Sequence, residues 1–434
     1  MKPINFSHLK SRLRRSLAPT DLPPVQRSNY INVEMDAIGI GLSSTASNFL
    51  PVFLTRLDAS NTQIGLLSSM PAITGLLLSI PLGRFLQNRR FIVPWFSAAR
   101  LGVISAYALT GLVTMLMPPD WSVIAILAVW ALATLPQTIV AICFSVVMNA
   151  VAGPHGRFEL MSRRWSILGT TTFISVLTIG QILSANESDF PRNYQAAFIA
   201  LSIGGLISFY FSSHIKLPPS EAQIEAHGQT LRQRIGEYLR LIRSQPAFTS
   251  FLYKRFVFLS GISMAVPLFP LYFVKEVQAN DGWIGAFTGG QTMILVLGYW
   301  LWTRQSRRHG NRRVLLWATA GLGIYPILVS LTLNPSLILL YVGIAGIFQA
   351  GQDLVFFDEL MKTVPTEYSA TFVSFAQSVQ YISSIFSPMI GTLIGDAIGL
   401  GPALMVAGGL RLIGFLLFFL DRRQSAPTAR IPAG

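Results

Sequence analysis

The chain is short of nearly everything a soluble enzyme uses. It holds one cysteine, Cys143, in 434 residues, so no intrachain disulfide and no cysteine metal cluster can form. None of its six lysines follows a glycine, which rules out a Gly-x-x-x-x-Gly-Lys-Ser/Thr loop and ATP use through it. The five histidines fall in the leader, in connections or at helix ends, so a histidine proton relay in the middle of an apolar layer is not expected. There is no nucleophile elbow and no metal-ligand cluster. The one adjacent carboxylate pair, Asp358 and Glu359, sits at i and i+1, which do not share a helical face. The chain is therefore not read as an enzyme, and no cofactor or metal is implied.

Charge is scarce as well, at 12% of residues, while 51% are apolar and mean hydropathy is +0.51. That balance belongs to a bilayer. A spanning helix takes roughly 20 mostly apolar residues. Twelve such stretches stand near 33–54, 62–85, 91–116, 121–148, 165–184, 194–215, 250–274, 283–303, 314–333, 336–360, 371–394 and 402–420. The expected fold is an all-α membrane protein divided as a basic leader (1–30), a six-helix bundle (31–216), a linker (217–247), a second six-helix bundle (248–421) and a tail (422–434). No apolar run precedes the first stretch, so no cleavable signal peptide is visible.

A formal charge of +14 would suggest nucleic acid in a soluble protein, but its distribution says otherwise. With the N-terminus inside, 28 of the 33 Lys and Arg residues lie in or beside inner segments. Only Arg56, Arg192 and Lys275 fall outside, and Arg100 and Arg411 are embedded. This asymmetry predicts both termini on the cytoplasmic side of a cell membrane, with no nucleic-acid partner. Phe6, Leu9, Leu13 and Leu17 in the leader share one helical face among basic residues, as do Leu231, Ile235, Leu239 and Ile242 in the linker. Each reads as a surface helix on the inner leaflet, or, for the leader, as a basic stretch that only sets topology.

The two halves repeat one another. Pro51-Val52-Phe53-Leu54, Asn61, Ile64-Gly65, Arg89-Arg90 and Trp95 return about 220 residues later as Pro270-Leu271-Tyr272-Phe273, Asn280, Ile284-Gly285, Arg312-Arg313 and Trp317. Halves with an even number of helices begin and end on the same side, so the repeats are parallel. Basic strings stand between the second and third helices (Gly83, Arg84, Arg89, Arg90) and between the eighth and ninth (Arg307, Arg308, Gly310, Arg312, Arg313). They resemble the Gly-x-x-x-Asp-Arg-x-Gly-Arg-Arg loop motif of the major facilitator superfamily. Ser306 stands where the second copy would have Asp, and the first copy lacks the acid altogether. The resemblance covers about 30–420 and implies a transporter that works by alternating access. The helix-five signature of drug/proton antiporters is not found in 166–181.

A charge at bilayer depth is expensive unless paired or wet, so embedded ionisable groups are the first site candidates. In the family that the chain resembles, helices 1, 4, 7 and 10 line the central cavity, and 3, 6, 9 and 12 mostly face outward. That ranks Asp353, Asp36 and Arg255 above Arg100 and Arg411. Asp353 with Gln349 one turn away forms a polar wall for a solute or a coupling proton. The repeat's shift of 219 also aligns Asp36 with Arg255, which suggests an inner gate closed by attraction. Asn48, Gln137, Gln291, Gln377 and Tyr381 are the uncharged candidates for substrate contact, although interhelical hydrogen bonding would satisfy them equally well. The resulting expectation is a monomeric secondary or facilitative transporter of a small neutral or amphipathic solute, with protons as the candidate coupling ion. A non-transporting receptor or assembly factor on the same fold is the alternative.

Overall fold

The computed structural model describes residues 22–87, 89–218, 245–363 and 369–421. The leader and linker faces read above lie outside the described residues, as do the tail and the side chains of Arg84 and Arg307. Twelve α-helices account for almost all of what is described: α1 Pro24–Arg56, α2 Asn61–Gln87, α3 Val93–Leu116, α4 Pro119–Ala185, α5 Arg192–Leu201, α6 Ile203–Ser213, α7 Pro246–Lys275, α8 Asp281–His309, α9 Asn311–Ser330, α10 Pro335–Thr363, α11 Ser369–Ile398 and α12 Leu400–Leu420. A 3₁₀ turn, Glu187–Asp189, joins α4 to α5. Among the described residues there are 12 helical stretches long and apolar enough to cross a membrane, the number expected from hydropathy.

Three boundaries differ from the hydropathy reading. Helix α1 begins at Pro24 rather than near 33, because tertiary bonds hold its polar first turns in place. The Asn29 side chain donates to the Lys216 carbonyl at 2.8 Å and accepts from the Lys216 amide at 2.8 Å, and Asn32 donates to the His214 carbonyl at 3.0 Å. Helical backbone continues through 149–164, so α4 carries the fourth and fifth spans together. The sixth span breaks at Ser202, whose hydroxyl bonds back to the Ile199 carbonyl at 2.6 Å just before Gly204 and Gly205. A back-bonding serine followed by two glycines weakens the helix at that point.

Contacts divide the chain into two compact units: Met1–Gly228 with Pro270–Val296, and Gln229–Phe269 with Leu297–Gly434. The end of α7 and the first half of α8 thus pack with the first unit, although by duplication they count in the second bundle. In the first unit, α1 and α6 touch backbone to backbone. A Cβ on Gly39 would lie 2.4 Å from the Gly204 carbonyl oxygen, and one on Gly204 would lie 2.6 Å from that of Gly39. Helices α4 and α8 approach in the same way at Gly180 and Gly285. Small residues permit such closeness where lipid gives no hydrophobic drive for association.

Candidate functional site

Three polar clusters stand out among the apolar helices. The first is buried in the first unit. Asp36 of α1, fully buried, has its Oδ2 3.1 Å from Arg100 of α3 and 3.7 Å from Arg164 of α4, and its Oδ1 accepts the Ser208 hydroxyl of α6 at 2.6 Å. The guanidinium faces lie on aromatic rings, Arg100 over Phe96 at 4.5 Å and Arg164 over Phe144 at 4.7 Å. One carboxylate therefore ties four helices together, and pairing is what allows these charges to stay out of water.

The second cluster sits where α1, α5 and α8 end or begin. Arg56, the last residue of α1, reaches Asp281 Oδ1 at 3.1 Å, Glu187 Oε1 at 3.0 Å and the Ala279 carbonyl at 3.4 Å. Tyr194 donates its hydroxyl to Asp281 Oδ1 at 2.5 Å. Phe53, from the repeated string that opens at Pro51, stacks on the Tyr194 ring at 5.0 Å. Asp281 opens α8, where the helix dipole favours a carboxylate. A companion contact lies alongside, with Lys275 Nζ donating to Asn61 Oδ1 at 2.9 Å. Lys275 is the counterpart of Arg56 at the repeat's shift of 219, and Asn280, beside Asp281, is the counterpart of Asn61. Each copy's basic residue at the end of its first helix thus reaches the start of the other copy's second helix.

The third cluster belongs to the second unit. Asp353 of α10 accepts from Gln349 at 2.9 Å on one oxygen and from the Tyr299 hydroxyl of α8 at 3.2 Å on the other, and Gln349 also donates to Gln352 at 3.2 Å. All three of Tyr299, Gln349 and Asp353 are half-buried, so the group can meet a solute while remaining hydrogen-bonded.

The other sequence candidates are dispersed. Asn48, Gln137 and Gln291 are half-buried on α1, α4 and α8, and on α11 Tyr381 is half-buried and Gln377 exposed. Arg255 donates to Gln380 at 2.8 Å within the second unit, while Asp36 is occupied by Arg100, Arg164 and Ser208 within the first. Asp36 itself is fully buried. Neighbouring hydroxyls serve packing: Thr134 meets Thr74 at 2.7 Å, and Ser384 meets Ser263 at 3.5 Å.

In the loop strings, Arg89 stacks over Phe85 at 4.1 Å and Trp95 at 5.3 Å, and Arg90 stacks over Phe91 at 5.6 Å. Gly83 has open space where a Cβ would point. Gly310, with φ of 81°, turns the chain into α9, Arg312 donates to the Asp421 carbonyl at 2.8 Å, and Arg308 and Arg313 are exposed. The acid missing at Ser306 is supplied from another helix: Ser306 bonds Asn311, Asn311 bonds Asp358, and Lys362 reaches Asp358 at 2.6 Å and Glu359 at 3.0 Å. Partial burial works against the Lys362 ammonium, but its bonds to Asp358 and Glu359 outweigh that and hold its pKa above the ordinary lysine value.

Residues 255–433 match the family model described as Major Facilitator Superfamily. That part of the chain is similar to the major facilitator superfamily. Solved structures extend this fold over nearly the whole chain. The nucleoside transporter NupG superposes with a TM-score of 0.67 at 10% identity, covering 90% of this chain and 98% of that one. A bacterial homolog of the human lysosomal transporter Spinster, inward-facing and unoccupied, gives 0.68 at 13%, covering 92% and 97%. The xylose transporter XylE from E. coli, inward open, gives 0.66 at 13%, covering 90% and 95%. In sequence, the multidrug resistance protein MdtG of Proteus mirabilis is 23% identical over 169 residues, which are 37% of this chain and 42% of that protein. The match thus spans less than half the length of that relative.

Sequence reasoning ranked Arg100 low and did not single out Arg164, Arg56, Tyr194, Asp281 or Tyr299 as site residues. Helix-number analogy placed Arg100 on an outward face, yet only 4% of it is exposed and it bonds Asp36. Arg56 and Lys275 were treated only as topology charges. Their matched positions in the repeat were the signal that could have marked them.

Proposed function

We propose that this protein is a secondary transporter that carries a small, neutral or amphipathic solute across a cell membrane by alternating access. The observation that carries this reading is the crossed exchange between Arg56 and Asp281 and between Lys275 and Asn61. In this reading the ion pair and the charge-assisted hydrogen bond, exchanged between duplicated positions, act as fasteners that break and re-form as a gate requires. Placed by the charge asymmetry, they lie on the outer side and hold it shut, and both termini are cytoplasmic. Asp353, with Gln349 and Tyr299, is the solute-contacting and proton-coupling group in this scheme. Asn48, Gln137, Gln291, Gln377 and Tyr381 are secondary contacts, and Asp36 with Arg255 remains the candidate inner gate. The working form is a monomer.

The test loads everted vesicles with a panel of metabolites and drugs and compares wild type with Asp353→Asn. Protein-dependent flux of at least one compound, with a pH dependence that the substitution abolishes, is the expected result. Flux that ignores both pH and the substitution would remove Asp353 from coupling. No protein-dependent flux of any compound would overturn transport in favour of a receptor or assembly role.

A further inference from the structure

The second unit also holds a groove whose lining does not include Asp353. Helices α9 and α10, with Trp302 of α8, enclose a groove of about 480 Å³ whose lining is almost wholly apolar and includes Trp317, Gly321, Tyr325, Tyr341 and Phe348. Gly321 leaves room there for the Phe348 ring. A Cβ there would lie 2.3 Å from the Phe348 ring, which lines the groove.

The stripe along α9 is graded. Arg313, Trp317, Gly321, Ile324 and Leu328 follow at steps of three and four, so one helical face carries a guanidinium, then an indole, then apolar surface. Arg313 is exposed, as are Arg308 and His309 a few residues earlier in the chain, and the His309 ring lies 6.0 Å from that of Trp317. Arg304 adds a cation over the exposed Trp300 at 5.9 Å. From Trp317 to Leu328 the groove runs eleven residues, about 16 Å at 1.5 Å per residue. That is close to half of a hydrocarbon core about 30 Å thick, the depth of one leaflet. Tryptophan at the junction of cation and apolar surface matches its placement at membrane interfaces.

We infer that this groove binds an anionic phospholipid, with one acyl chain lying along Trp317 to Leu328 and the phosphate held by Arg308, His309 and Arg313. A soluble apolar ligand would have no use for the basic end. A zwitterionic lipid would offset its phosphate with its own amine, so charge complementarity selects a headgroup of net negative charge.

The test reconstitutes the full-length protein in phosphatidylcholine vesicles containing a small fraction of phosphatidylglycerol or of phosphatidylcholine with brominated acyl chains. Subtracting the signal of Trp317→Phe isolates quenching of Trp317. The expected result is roughly tenfold tighter quenching by the brominated phosphatidylglycerol. Arg308→Gln with Arg313→Gln should abolish that preference and leave chain contact, Arg308→Lys with Arg313→Lys should retain it, and Ala320→Phe should remove quenching by both lipids. Equal quenching by the two lipids in wild type would overturn the inference. So would a preference that survives the glutamine substitutions, or one that millimolar inorganic phosphate removes.

Discussion

Asp281→Asn isolates the fastener on which the transport reading rests. Arg56 Nη2 lies 3.1 Å from Asp281 Oδ1, with the side chains 18% and 1% exposed. The amide that replaces the carboxylate still accepts the Tyr194 hydroxyl but carries no charge. A hydrogen bond to a charged group contributes about 1.5–3 kcal/mol, so the loss is about 2 kcal/mol. At tenfold per 1.4 kcal/mol, the open population rises about 30-fold. Glu187 does not make up the difference, since its side chain is 55% exposed and exposed pairs contribute about 0–1 kcal/mol. Cys143 is the one native cysteine and is buried, so a thiol introduced elsewhere serves as the reporter. Thr55→Cys is nearly isosteric and adjoins Arg56 at a site only 3% exposed. A membrane-impermeant maleimide added from outside should label it slowly in wild type, about 30-fold faster with Asp281→Asn, and within about twofold of wild type with Glu187→Gln. Equal labelling of the Asp281→Asn protein and wild type would refute the latch and leave the cluster as packing alone.

Other outcomes follow from the same geometry. Asp36→Asn leaves Arg100 and Arg164 buried without their shared carboxylate, and thermal unfolding in detergent should show a loss of about 3–5 kcal/mol, partly restored by adding Arg100→Gln. Tyr299→Phe removes one of the two donors to Asp353 and should alter the pH profile of flux less than Asp353→Asn does, as read in everted vesicles. Gly39→Val drives a side chain into the Gly204 carbonyl and should abolish accumulation of folded protein in the membrane. Gly83→Ala, with open space in α2, should instead raise stability by about 0.5–1 kcal/mol in the same thermal assay.

Much of the fold was legible because its causes are local. Each span is long and apolar in its own stretch of chain, and Pro, Gly and Arg-Arg recur at matched positions. The misses came where tertiary bonds override composition. The polar turn at Asn29 and Asn32 is helical because Lys216 and His214 complete its hydrogen bonds. In the candidate sites, Gln349 and Asp353 could be paired because i and i+4 meet on one helix. Tyr299 could not, since it arrives from another helix 54 positions away.

The sequence by itself determined the solvent of this protein, its twelve spans and the duplication, because hydropathy, helical period and repeat spacing are properties of the chain alone. Only the tertiary structure decided which charges meet. Arg56 finds the Ala279 carbonyl across 223 residues, and Asp36 finds Arg100, Arg164 and Ser208 on three other helices. Those pairings depend on helix rotation and close approach at positions such as Gly39 and Gly204, and no local pattern encodes a rotation.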